Sequence, residues 1–141
     1  MPNKKINSIK RYENHLKSSA DWLMQSIAKG RGGSCAYYSP LMGWSKPYPE
    51  TTGYLIPTLI RVSKFLKDPK YSESALSIGQ WLLDIQSQNG SWYGGLHPST
   101  SSEGSVFNTG QILKGMMALF HHTGDQAFLI AADRAANWLA S

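Results

Sequence analysis

Glu50 is the acid best placed to do chemistry in this sequence. It stands just ahead of an expected helix start, among Trp44, Tyr48 and Tyr54. A carboxylate in such surroundings can serve as general acid or base on a sugar. Glycoside hydrolysis ordinarily takes two carboxylates, and a second long loop offers Glu103. The position also suits a structural role, in which Glu50 complements the helix dipole and Thr51 or Thr52 caps the helix. Asn108, Thr109 and Gln111 hold the matching place before a later helix. Asn108 either caps that helix or turns a hydrogen-bonding group toward a ligand, with Gln111 one turn further in. Trp44, Trp92, Tyr93 and His97 offer flat faces on which sugar rings can stack, Trp92 having the alternative role of clamping a turn.

Other chemistries find no support. Cys35 is the only cysteine, so no internal disulfide can form, and no Asp or His accompanies it at zinc-site spacing. His121 and His122 are adjacent on a helix and point about 100° apart, which does not make a metal site. They suit the helix C-terminus instead. Gly30-Arg31-Gly32-Gly33 lacks the following Lys-Ser/Thr, and the preceding strand, of a phosphate loop. Neither a metal nor a cofactor is expected.

These residues must be positioned by helices. Sliding the sequence on itself by 57 residues aligns Thr52 with Thr109, Gly53 with Gly110, Asp68 with Asp125, Ala75 with Ala132, Trp81 with Trp138 and Leu82 with Leu139. The matches fall at the start, turn and end of a unit, where geometry is demanding. In the first copy Leu55, Ile56, Leu59, Ile60, Val62 and Leu66 recur at helical spacing. Asp68-Pro69 then breaks the chain, and Tyr71, Ala75, Ile78, Trp81, Leu82 and Ile85 form a second apolar face. Asp68 suits an N-cap with Pro69 at the first helical position. The second copy repeats the plan through Ile112, Met116, Met117, Leu119, Phe128, Ala132 and Trp138. Pro57 should kink its helix or delay its start. The expected fold is all-α, a single helical-repeat domain over 1–141 built of helical hairpins of about 57 residues. It comprises a leading helix over 8–29 and helix pairs over 51–87 and 108–141. On the leading helix Ile9, Tyr12, Leu16, Ala20, Leu23 and Ile27 form the apolar face. Turns within a pair are short and connections between pairs are long, so the long loops share one end of the assembly, where function tends to sit.

The net charge of +5 is concentrated at the start. Seven basic residues oppose Glu13 and Asp21 in the first 31 positions, and from residue 32 onward seven basic residues balance seven acidic ones. Such a run solvates a helix face, and no basic stripe for nucleic acid crosses the repeats. No apolar run is long enough to span a bilayer and no secretory signal opens the chain, so a cytoplasmic location is expected.

Residues 79–92, Gly-Gln-Trp-Leu-Leu-Asp-Ile-Gln-Ser-Gln-Asn-Gly-Ser-Trp, resemble the QW motif of the terpenoid cyclase and protein prenyltransferase superfamily. Arg134-Ala135-Ala136-Asn137-Trp138-Leu139 resembles the opening of a second such motif. In that motif the Gln and the two tryptophans staple a turn and carry no chemistry. The resemblance implies an α/α toroid, with helix pairs in two concentric rings around a funnel. Six such pairs would take roughly 340 residues, so a partial toroid is expected, its open ends available for self-association. The Asp-rich motif of cyclases is missing, and Cys35 lacks the partners of a prenyltransferase zinc site. Tyr48-Pro49-Glu50-Thr51-Thr52-Gly53-Tyr54 and Ser105-Val106-Phe107-Asn108-Thr109-Gly110-Gln111 resemble uncharacterised bacterial toroid proteins linked to polysaccharide metabolism. The resemblance implies a fragment of a carbohydrate-processing toroid, its substrate held at the aromatic long-loop face. A non-catalytic interaction module, or a fragment of an isoprenoid cyclase or prenyltransferase-like protein, are the alternatives.

Overall fold

The computed structural model describes residues 2–100 and 103–141. Among the described residues, five helices make up most of the structure: α1 (Pro2–Gly30), α2 (Pro49–Leu66), α3 (Lys70–Asp84), α4 (Val106–Thr123) and α5 (Gln126–Leu139). A small antiparallel hairpin, β1 (Tyr38–Ser39) with β2 (Gly43–Trp44), lies in the first long loop. The protein is therefore all-α apart from this hairpin, which turn residues Pro40 and Gly43 permit and which helical periodicity does not foretell. No described helix is long and apolar enough to cross a membrane.

Two short turns build two helical hairpins. Lys67 at the end of α2 and Gly124 at the end of α4, 57 residues apart, both adopt the left-handed conformation, with φ of 54° and 76°. Beyond each turn an aspartate takes the next helix. The Asp68 carboxylate accepts from Lys70 N–H at 3.2 Å, and Asp125 accepts from Ala127 N–H at 2.9 Å. The Asp68 carboxylate thus holds the first turn of α3 as expected of a capping residue, although the helix is counted from Lys70 and the cap position is Pro69 rather than Asp68.

The core lies where α2 meets α3 and α4, and where α4 meets α5. Ile56, Leu59, Tyr71, Ala75, Ile78, Leu82, Ile112, Met116, Leu119 and Ala135 are wholly buried there. The α2–α4 contact is unusually close because two glycines meet. A Cβ on Gly53 would lie 2.6 Å from Ile112 Cα, and one on Gly115 would lie 2.4 Å from the Gly53 oxygen. Pro57 belongs to the same design. Helix α2 neither begins after it nor stops at it. Lacking an N–H, Pro57 leaves the Gly53 carbonyl without its usual donor four residues on.

Helix boundaries differ from the sequence expectation at the starts. Helix α2 begins at Pro49, whose missing N–H costs nothing in the first turn, so neither Thr51 nor Thr52 is the cap. The cap position is Tyr48, without a side-chain bond. Helix α4 begins at Val106 with Ser105 as its cap, which displaces Asn108 from that role. Helix α1 starts at Pro2 rather than residue 8, since no breaker separates Pro2 from Ser8. At 29 residues it is about 44 Å long against about 27 Å for α2. Ile9 and Tyr12 of the expected apolar face are 49% and 73% exposed, so that face is not covered at their level. Only the far end is seated, through buried Ala20 and Ile27. Asp21 clips this end to α3. It accepts from Tyr71 Oη at 2.8 Å and pairs with Lys17 Nζ at 2.6 Å and Lys70 Nζ at 2.9 Å. Lys17, then Lys70 and Tyr71, hold its carboxyl well below the usual carboxylate range.

Candidate functional site

The two long loops come together at one end of the hairpins, and hydrogen bonds to the helix starts hold them there. Thr52, fully buried, accepts from Ser34 N–H at 2.9 Å and donates to Tyr48 O at 2.8 Å. Thr109, 57 residues on and equally buried, accepts from Trp92 N–H at 3.0 Å and donates to Trp92 O at 3.2 Å. Each threonine thus fastens the loop that precedes its helix. The loops also join each other: His97 N–H donates to Pro47 O at 2.8 Å.

At this junction lies an open cleft of about 470 Å³, lined by the end of α1 (Lys29, Gly30), by Arg31, by Trp44 to Pro47, by Trp81 of α3, and by His97 and Pro98. Trp44 is backed by Tyr38, edge-on at 5.1 Å, and by Trp22, tilted at 4.9 Å. Trp81 packs against Gly32 and Gly33, where an added Cβ would lie 2.4 and 2.5 Å from the indole. These two positions must stay glycine for the tryptophan to keep its place. His97 meets Trp81 edge-on with ring centroids 5.2 Å apart. Its Nδ1 is hydrogen-bonded to the Tyr93 hydroxyl behind it. Burial pushes His97 below the ordinary histidine value and Tyr93 above the ordinary tyrosine value, in both cases favouring the neutral ring.

Of the residues singled out from sequence, Trp44 and His97 line this cleft, and Tyr93 supports His97 from one layer behind. Tyr48 is half-buried at the start of α2 and gives its N–H to Ser34 O at 2.9 Å. Glu50 sits in the first turn of α2, half-buried, outside the cleft lining. Its charge contributes, after burial, to raising the Tyr54 hydroxyl pKa. Trp92 is wholly buried, its indole N–H donating to Leu82 O at 2.9 Å. It clamps the end of α3 and has no face free for a ligand. Asn108 is 3% exposed. Its side chain donates to Tyr93 O at 3.2 Å and accepts from Ser105 Oγ at 3.1 Å. It therefore holds the loop that carries Tyr93 and is turned inward. Gln111 lies on the side of α4, its oxygen accepting from Lys114 at 3.2 Å.

Gln86, the Gln of the QW-like segment, donates to Gly90 O at 2.8 Å and to Ala131 O at 2.9 Å, so it ties both the loop and α5 to the end of α3. Arg134 completes the staple by donating to Ser87 O and Gln88 O at 2.9 and 3.0 Å. Cys35 is buried, its thiol donating to Ser26 O at 3.3 Å, and burial raises its pKa. No metal-binding cluster occurs among the described residues.

Sequence reasoning passed over Trp81, Lys29, Arg31 and Lys46. Trp81 reads as one more member of an apolar helical face. The three cations read as solvated charge, because Lys29 and Arg31 end a helix and Lys46 lies fifteen residues beyond Arg31. Only the return of the first long loop beside α1 brings them together. Comparison with family models, with curated proteins and with solved structures finds no match to this chain.

Proposed function

We propose that this chain is part of an α/α-toroid protein of the polysaccharide-processing kind, and that it holds a saccharide in the cleft between its two long loops. One observation carries the reading. Trp44, Trp81 and His97 line a single open cleft together with Lys29, Arg31, Lys46 and Ser45, the rest of its wall being Gly30, Pro47 and Pro98. Sugar rings present apolar faces and hydroxyl edges, and sites for such ligands combine aromatic surfaces with a few fixed polar groups. The cleft lining contains no carboxylate, which favours binding over glycosidic cleavage by these residues alone. Isothermal titration against a panel of soluble oligosaccharides tests this. Binding should be measurable, and Trp44→Ala should weaken it by about five- to tenfold. No binding at millimolar concentration, or an unchanged affinity for Trp44→Ala, would overturn it.

The repeated-hairpin part of the reading is supported by equivalent roles 57 residues apart: Thr52 and Thr109 each bond the preceding loop, Lys67 and Gly124 are both left-handed, and Asp68 and Asp125 each accept an N–H at the next helix start. It also gives meaning to Gly110. Its counterpart Gly53 is covered by Ile112 of α4, whereas a Cβ on Gly110 would meet nothing within 4 Å. Leu113 and Met117 on the same helix are only partly buried, so this face can receive another helix as α2 receives α4. The isolated chain should accordingly self-associate with rising concentration in light scattering. A monomer across the micromolar to millimolar range would refute that expectation.

A further inference from the structure

The same cleft carries an electrostatic feature that a neutral sugar would leave unused. Lys29, Arg31 and Lys46 all line it, all three are exposed, and no acidic side chain shares the lining. None of the three takes part in the ion pairs that join Lys17 and Lys70 to Asp21 and Lys70 to Asp68, so the cleft cations are left to interact with whatever enters. The carbonyl end of α1 at Gly30 opposes them with roughly half a negative charge, against three full positive ones. From residue 32 onward the charges balance, and on α1 the basic residue before Lys29 is Lys17, twelve positions back or about 18 Å along the helix and paired with Asp21. The three cations share a cleft that also has two indoles and an imidazole.

We propose that the cleft selects an acidic saccharide, one whose rings bear carboxylates, with Trp44 and Trp81 against ring faces and Lys29, Arg31 and Lys46 meeting the carboxylates. The inference rests on the saccharide reading above and adds the ligand's charge. A guanidinium presents a planar pair of donors matched to a carboxylate, and Arg31 is the residue that supplies one here. A nucleic acid would also answer to cations and stacking rings. It fits less well, because its phosphates continue along the strand, whereas the basic residues of α1 resume only at Lys17, about 18 Å from Lys29 and paired with Asp21, and charges balance from residue 32 onward.

The backbone at Arg31 provides a discriminating variant. Its φ is 50°, a left-handed conformation that glycine adopts without strain. Arg31→Gly therefore removes the guanidinium while leaving the melting temperature at or above that of the wild type. Titrations of both proteins with a galacturonate tetrasaccharide, a neutral glucose tetrasaccharide, a short polyglutamate and an oligothymidylate separate the outcomes. The acidic sugar should bind about tenfold or more tightly than the neutral one. That preference should shrink in Arg31→Gly and in Lys46→Ala, and should fall as sodium chloride is raised. Equal affinity for acidic and neutral sugars would overturn the charge selection and leave saccharide binding standing. Polyglutamate binding as tightly as the acidic sugar would overturn the saccharide reading itself, as would tighter binding of oligothymidylate. Binding of none of the four would overturn both.

Discussion

Replacing Trp92 with alanine should lower stability by about 3–5 kcal/mol, the usual cost of emptying a fully buried aromatic site. The side chain is wholly buried, and its indole N–H caps the Leu82 carbonyl at 2.9 Å. That carbonyl lies in the last turn of α3, where the intrahelical donors run out. The Gln86 N–H that would reach it in a continuing helix goes to Leu83 O instead, at 3.3 Å. Trp92→Ala therefore opens a cavity and strands a buried acceptor. Trp92→Phe separates the two effects, because it keeps most of the volume and loses only the donor, at about 1–3 kcal/mol. In a domain of this size the alanine variant should melt roughly 10–20 °C lower. Chemical denaturation followed by far-UV circular dichroism measures both changes. A loss below about 1 kcal/mol for the alanine variant would contradict the clamp.

Gly115→Ala should destabilise by about 2 kcal/mol, although alanine is the better helix former by up to about 1 kcal/mol. The sign is set by tertiary contact. A Cβ at this position would lie 2.4 Å from the Gly53 oxygen and 3.1 Å from its carbonyl carbon. These are backbone atoms, which cannot rotate away, so α2 and α4 would have to separate and loosen the packing of Ile56, Ile112 and Met116. Gly110→Ala on the same helix is the control. With nothing within 4 Å of its added Cβ, it should stabilise by about 0.5–1 kcal/mol through propensity alone. Opposite signs for two glycine-to-alanine changes five residues apart are the result to look for. If Gly115→Ala stabilised the protein as well, the close approach of α2 and α4 would be refuted.

The two variants mark the boundary between what local and non-local physics decide here. Helix identity was legible in the chain because its causes are local. The spacing of Ile56, Leu59 and Ile60, the Asp68-Pro69 start and the Gly124-Asp125 turn act over one or two helical turns. The helix starts at Pro49 and Val106 were missed by two residues each, because Thr52 and Asn108 look like caps. Their side chains are instead committed to the preceding loops, which spacing within the helix does not reveal.

The cleft was half legible. Trp44 and His97 were identifiable as aromatic loop residues, whereas Trp92, of the same type and in the same loop as His97, is wholly enclosed in the core. Helical periodicity cannot separate them, since none of the three lies in a helix. Their fates follow from which loop amides Thr52 and Thr109 capture and from the bond between His97 and Pro47. Lys29, Arg31 and Lys46 likewise carry no shared pattern along the chain. What the sequence determined by itself was the set of helices, their turns, and the end of the assembly at which the long loops meet. Which side chains face the cleft at that end was decided only by tertiary structure. Burial and charge proximity depend on contacts such as those of Ser34 with Thr52, Trp92 with Thr109 and Pro47 with His97, which join residues distant in the chain, and no local pattern encodes those distances.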